Sequence, residues 1–496
     1  MASDNVHLLV LVHGMWGNPG HLKSLQRLMS EHHAQDDAPA GPAGEKLEIL
    51  LAETNKDEHT YDGIDWGGER VAEEVLDAVK RFENEGKKVT RFSITGYSLG
   101  GLVSRYVVGI LHQRKFFETV TPVNFNTFAT PHIGLPRYRT FISSLTTYLG
   151  PKLLSRTGEQ FYTVDKWSAR GRPLIEVMAD PDRVFYQALC LFEHLRIYAN
   201  AINDITVPYP TAAIETEDPF FNRATNGIEI EYDEKYSPLI KAWRLPDSPP
   251  ALPPAPRPLT WEWVKRYQIP LPPALQAKFP YNVLVYTFLP ILFPILITLV
   301  ISRLSFAALA SRKRLRVLEK DQSSVDRLVH ILGRLERGVE DAVADMIDAP
   351  GGTPPMGTPS TDMLTAGASP QIRLESPSPT PDLGSASSSP DLRSVNGRLG
   401  ATTSRTSSHS SDTEAQEQEL HAAEIAAAAE VAHFVLTDLQ RRIVRTLNML
   451  PRLQKERAYI EVRNAHGPII CRDMQRFASH KLGEGVIRHW VDHFIM

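Results

Sequence analysis

Cysteine is almost absent: Cys190 and Cys471 are the only two in 496 residues. One pair makes no disulfide framework and neither sits in a zinc-ligand spacing, which excludes a disulfide-stapled module and predicts a reducing compartment. An excess of charge of one sign is also missing. The 54 basic and 58 acidic side chains leave a net charge of −4, so no broad basic field exists to hold nucleic acid. A secretory leader is lacking as well. Met1 to Val6 is short and polar, and the apolar run His7 to Val12 leads directly into His13-Gly14 with no basic start and no small-residue cleavage site. The expectation is a protein that is not secreted and works from the cytosol. No internal repeat is found.

What is present is enough sequence for two or three domains. Within the first ~215 residues, short apolar runs (Leu8 to Val12, Leu47 to Leu51, Val89 to Thr95, Val123 to Phe128, Leu195 to Tyr198) alternate with helix-spaced sets such as Val71, Val75, Val79 and Phe82. Runs of that length read as buried strands. Strands alternating with helices predict an α/β fold, a mostly parallel sheet with helices on both faces. Composition changes after about residue 245. The reading assigns 1–245 to the first part of the core, 246–280 to a proline-rich linker and 281–304 to a hydrophobic anchoring segment. Residues 305–349 follow as a helical segment, 350–415 as a disordered Ser/Thr/Pro-rich tract, 416–450 as a helix and 451–496 as the second part of the core. The tract has too few apolar residues to offset its ordering entropy. Ala422 to Leu450 reads as one long Ala-rich helix, Tyr459 to Val462 as the last strand and Glu484 to Phe494 as a closing helix.

Gly96-Tyr97-Ser98-Leu99-Gly100 matches G-x-S-x-G, the nucleophile elbow. The chemistry needs a serine on a tight strand-to-helix turn, with small neighbours because side chains would clash. Strand-like residues precede it, and Leu99, Leu102, Val103, Tyr106, Val107, Ile110 and Leu111 follow on one helical face. After the first strand comes Val12-His13-Gly14-Met15-Trp16-Gly17, where such a fold supplies one oxyanion donor; the backbones of Met15 and Leu99 are the two expected donors. The acid and base must follow in the order Ser, Asp, His. Asp204 lies just after the Leu195 to Tyr198 strand, with Asp180 and Asp182 as competitors in a turn before it. His466 in Asn464-Ala465-His466-Gly467 stands before the last helix; His132 breaks the order and His480 is in a polar segment. His489 and His493, four residues apart, faintly suggest a metal site but lack a third ligand. Ser98, Asp204 and His466 therefore form the expected triad, a chemistry that requires no metal or organic cofactor.

These residues resemble the putative serine esterase family of lipases, most closely its fungal lipid-droplet phospholipases. The resemblance is carried by Val12 to His21, Tyr61 to Arg70 with Asp62-Gly63-Ile64-Asp65, Gly96 to Tyr106, Phe128 to Gly134, Asn203 to Pro208 and the closing Asn464 to Phe494 segment. It implies an α/β-hydrolase that cleaves acyl esters of glycerophospholipids on lipid droplets. It does not extend to the middle of the chain.

Val283 to Ile301 is an uncharged stretch of about nineteen residues, long enough to span a bilayer core. Arg303, Arg312, Lys313, Arg314 and Arg316 follow it and favour an anionic cytosolic surface. Ser98 and Asp204 precede the stretch and His466 follows it, so a single crossing would separate nucleophile from base. The expectation is a re-entrant or interfacial segment, bent near Pro290 and Pro294, anchoring the protein to a lipid droplet or the cytosolic face of the endoplasmic reticulum, with a true span and a buried lid helix as the alternatives. Three rivals stand beside the phospholipase: a neutral-glyceride lipase, an acyl-protein thioesterase, and an inactive membrane scaffold that kept the fold.

Overall fold

A six-stranded, wholly parallel sheet carries the molecule, in the order β10-β6-β4-β3-β1-β2. In chain order the strands are β1 (Asp4–Val12), β2 (Lys46–Leu51), β3 (Lys87–Tyr97), β4 (Thr121–Phe128), β5 (Arg137–Tyr138), β6 (His194–Asn200), β7 (Glu229–Tyr232), β8 (Ile240–Arg244), β9 (Phe434–Val435) and β10 (Leu453–Ala458). Strands β5 with β9, and β7 with β8, form separate two-stranded antiparallel pairs. This computed structural model describes residues 4–34, 41–138, 141–168, 170–248, 250, 281–320 and 434–496. All of them belong to one compact unit.

The period of two along β1 sorts the core into two layers. Leu8, Val10 and Val12 pack with helices α2 (Ile64–Asn84) and α3 (Leu99–Gln113). Leu9 and Leu11 pack on the other face with α1 (Lys23–His33) and the C-terminal helix Glu484–Asp492. The expected α/β class, with helices on both faces of a parallel sheet, is what the structure contains.

The return of the chain differs from expectation in detail. The last strand is Leu453–Ala458, paired with β6, and not Tyr459 to Val462. Its sequence, Leu-Gln-Lys-Glu-Arg-Ala, has no apolar run because it lies at the sheet edge. There Lys455 and Arg457 pair with Glu215 (2.7 and 3.3 Å) and Glu456 pairs with Arg196 (3.4 Å). The expected unbroken helix to Leu450 is also corrected. Phe434–Val435 is extended, and a capping box between Thr437 and Gln440 starts a new helix, Asp438–Leu447.

Tyr281–Lys320 is one helix of 40 residues, about 60 Å long at 1.5 Å per residue. It runs through Pro290 and Pro294 without turning back, so the expected bend there is absent. A helical proline forfeits one donor, while the apolar residues around it keep the other backbone bonds intact. The helix also crosses the expected boundary at residue 304. Its second half docks on the core, burying Ala307, Ala308, Ser311 and Leu315. Its first half leaves Phe288, Ile291, Leu296 and Leu299 half or more exposed. The proline-rich linker beyond 250, the segment 321–349, the tract 350–415 and residues 416–433 lie outside the described residues.

Candidate active site

Ser98 occupies the single residue between β3 and α3. Its φ of 56° and ψ of −124° lie in a region that side chains rarely adopt. Three contacts hold it there: Ser98 N donates to Phe128 O (2.8 Å), while Gly101 N and Thr130 Oγ1 donate to Ser98 O (3.1 and 3.0 Å). The flanking glycines are required by approach distance. A Cβ on Gly96 would come within 2.5 Å of Gly100 O, and one on Gly100 within 2.1 Å of Val12 O. The turn therefore places Ser98 Oγ at the positive end of a 15-residue helix.

The structure brings the other two triad candidates to it from distant parts of the chain. His466 Nε2 lies 3.0 Å from Ser98 Oγ, and His466 Nδ1 lies 3.0 Å from Asp204 Oδ2. Asp204 follows β6 in a tight loop, where Thr206 N (3.0 Å) and Val207 N (2.8 Å) donate to Oδ1 and Asn200 Nδ2 (2.8 Å) donates to Oδ2. The histidine loop is fixed through Ala465 N, which donates to Asn203 O (2.8 Å), and through Tyr97 OH, which donates to His466 O (2.9 Å). Ser98, Asp204 and His466 are all buried. The Nδ1 contact to a carboxylate sets the tautomer in which Nε2 faces the serine as an acceptor.

Leu99 follows Ser98 in the chain, and Met15 follows Gly14, where an added Cβ would come within 2.7 Å of Ser98 Cβ. Among the described residues no acceptor is found for the amide N–H of either. The neighbouring amide of Trp16 is already committed to Thr60 Oγ1 (3.1 Å), and the Trp16 indole donates to Tyr61 OH (2.8 Å). The loop after β1 is thus held by its tryptophan.

The competitors are placed elsewhere. Asp180 accepts from Arg172 (2.8 Å). His132 is buried with Nε2 2.9 Å from Thr127 Oγ1, and burial with Arg105 nearby holds its pKa well below the usual range. His480 Nδ1 accepts from Asp473 N (2.9 Å). His489 lies 3.0 Å from Tyr198 OH and stacks on His493, and burial lowers its pKa to about 3. Among the described residues no three His, Cys, Asp or Glu side chains converge as a metal site would require.

Two contributions were not read from the sequence. Asn200, four residues before Asp204 at the end of its strand, positions the acid. Asp62 was noted only as part of a motif. Its fully buried carboxylate accepts from Arg70 (2.7 Å), from Ser311 (2.6 Å) and from Arg314 (2.9 Å) of the long helix. The one advance signal was the pairing of an acidic motif before the site with a basic run after the apolar stretch.

Residues 2–216 match a family described as putative serine esterase (DUF676). Among similar proteins, "Putative lipase C4A8.10" of Schizosaccharomyces pombe is 32% identical over 219 residues, 43% of this chain and 26% of its own length. "Putative lipase ROG1" of Saccharomyces cerevisiae is 27% identical over 242 residues, 47% of this chain and 32% of its own. The matched parts thus span about a third or less of these curated relatives. Among solved structures, phospholipase PlaB from Legionella pneumophila in complex with thio-NAD aligns at 12% identity, covering 42% of this chain and 40% of that one, with a TM-score of 0.26.

Proposed function

We propose that the protein, whose residues 2–216 match a family described as putative serine esterase, is a serine hydrolase of glycerolipid acyl esters, a phospholipase acting at a membrane or lipid-droplet surface. The observation that carries the hydrolase is the Ser98–His466–Asp204 relay, closed by two contacts of 3.0 Å. Ser98 Oγ attacks the acyl carbonyl as its proton passes to His466 Nε2. The oxyanion that forms is held by the N–H groups of Met15 and Leu99, each of which contributes a few kcal/mol in a site closed to water. His466 then gives its proton to the departing alcohol. Water repeats the sequence, leaving a free fatty acid and restoring the serine. Asp204 keeps the imidazole oriented and stabilises the imidazolium.

The lipid reading rests on the long helix. One window of it reaches a mean hydropathy of 2.1, and its apolar first half is exposed while its second half is docked beside the loop that precedes α2. A row of exposed Ile, Leu and Phe side chains continuous with an esterase core suits an enzyme whose substrate lies in a lipid phase.

The test is hydrolysis by the full chain across phospholipids, di- and triacylglycerols and acyl-protein thioesters, with Ser98→Ala as control. The proposal expects phospholipid cleavage that Ser98→Ala abolishes, together with its labelling by a fluorophosphonate. Preference for glycerides or thioesters would replace the substrate class and keep the mechanism. Labelling that survives Ser98→Ala would overturn the nucleophile.

A further inference from the structure

An open cleft of about 960 Å³ lies between the first turn of α1 and the loop that follows His466. Met15 and Trp16 are among its lining residues, so the cleft borders the loop assigned one oxyanion donor. Its charge is unlike that of the chain. Lys23, Arg27, Arg472 and Arg476 line it against a single carboxylate, Asp473, in a protein whose net charge is −4. Two of these groups have other work. Arg27 pairs with Glu31 (2.8 Å), and Asp473 Oδ1 accepts from the backbone of Arg476 (3.0 Å). Lys23 and Arg472 make no ion pair among the described residues.

Arg472 is tied to the catalytic base. Its backbone N–H donates to Gly467 O (3.1 Å), next to His466, and a Cβ on Gly467 would lie 3.3 Å from its Nε. The guanidinium therefore folds back onto the turn that carries the histidine. Burial raises the pKa of Tyr97, and both the charge and a side-chain hydrogen bond of Arg472 act against it; that same hydroxyl donates to His466 O, so one guanidinium N–H is engaged here and the others remain for a ligand. A half-buried guanidinium with no carboxylate partner, beside the base, is suited to a planar or tetrahedral oxyanion that it can grip through two parallel N–H groups.

We propose that this cleft is the headgroup subsite, in which Arg472 and Lys23 bind the phosphate of an anionic phospholipid while its acyl ester lies at Ser98. The inference rests on the lipid-hydrolase reading above and adds to it the chemistry of the preferred headgroup. The cleft is open enough to leave the polar head in water while the acyl chains reach the serine. A zwitterionic head would bring its own cation to the same cations, so a phosphate without one is favoured.

The experiment uses the purified full chain and monomeric, short-chain substrates below their micellar concentrations, which removes any attraction to a charged surface. Dihexanoylphosphatidylglycerol is compared with dihexanoylglycerol through the ratio of their kcat/KM values. Losing a charge-assisted phosphate contact is expected to lower that ratio about tenfold in Arg472→Gln, through KM rather than kcat. Arg472→Lys should recover part of it, and Lys23→Gln should lower it in the same direction. An unchanged ratio in Arg472→Gln, with wild-type lipid hydrolysis intact, would overturn the subsite alone. An equal fall on both substrates would also overturn it, because Arg472 would then merely brace the histidine turn. If the wild type cleaves p-nitrophenyl butyrate but neither lipid, the lipid reading falls and takes the subsite with it.

Discussion

Four donors converge on the Asp204 carboxylate: Asn200, the amides of Thr206 and Val207, and His466. That arrangement explains how a carboxylate beside a strand end can be both buried and aimed. Three of the donors come from its own loop or strand and fix the plane in which Oδ2 meets the imidazole. The triad itself was legible in the sequence, because a nucleophile on a strand-to-helix turn limits where its acid and base can lie. Asn200 was not, since a polar residue closing a strand carries no pattern of its own. It is a positioning residue, and Asn200→Ala is expected to lower kcat about tenfold while leaving KM nearly constant. Asn200→Asp should be worse and should move the acid limb of the pH–rate profile upward, since a second carboxylate at this distance makes Asp204 harder to ionise. A profile unmoved in Asn200→Asp would show that Asn200 serves the loop and not the acid. Within the triad, His466→Ala and Asp204→Asn should each cost several orders of magnitude, and the double variant little more than the worse single one. Additive losses would mean that the two do not act on one proton.

The elements reveal a different kind of legibility. Buried strands such as Leu8 to Val12 announce themselves as unbroken apolar runs, whereas β10, an edge strand whose charged side chains pair with Glu215 and Arg196, looks from sequence like a loop. The long helix was misread for the opposite reason: its prolines suggested a hairpin, but a surrounding apolar run holds helical bonds on both sides of each. What anchors that helix to the core is Asp62, which has no solvent exposure and takes donors from Arg70, Ser311 and Arg314. Arg314 also donates to Glu58 O (2.9 Å), in the turn that carries Thr60 and Tyr61, the partners of Trp16. The docking contact and the oxyanion loop thus share one short stretch of chain. Removing the carboxylate in Asp62→Ala leaves two guanidinium groups without their anion and is expected to destabilise the fold by about 3–5 kcal/mol. Arg314→Gln is the milder variant, because that side chain is partly exposed. It should accelerate hydrogen exchange across residues 305–316 without changing exchange in β1 or β3. Equal protection in Arg314→Gln and wild type would show that apolar packing alone docks the helix.

At the scale of the whole molecule, the catalytic site constrains how the protein can meet a membrane. Ser98 and Asp204 come before the apolar helix and His466 after it, yet all three join in one buried relay. The parts of the chain on either side of the helix therefore share one side of any bilayer. The helix is docked by its second half, with Ser311 and Arg314 on Asp62, so only the first half is free to enter a lipid phase. Its exposed apolar side chains run from Phe288 to Ile301, about 20 Å at 1.5 Å per residue, short of a hydrocarbon core of about 30 Å, so this part enters the lipid without crossing it. Arg312, Lys313 and Arg316 at the docked end would stay at the lipid surface, where anionic headgroups attract them. Deleting 283–301 should release the protein from membranes or droplets and leave cleavage of a soluble short-chain ester within about twofold, because the deletion spares every group of the relay. The decisive measurement is protease protection on sealed microsomes, with one tag after residue 245 and another at the C-terminus. Both tags should be cut from the cytosolic side at equal rates. Protection of the C-terminal tag alone would place His466 across the membrane from Ser98, and a relay with two contacts of 3.0 Å could not then exist in the membrane-bound protein.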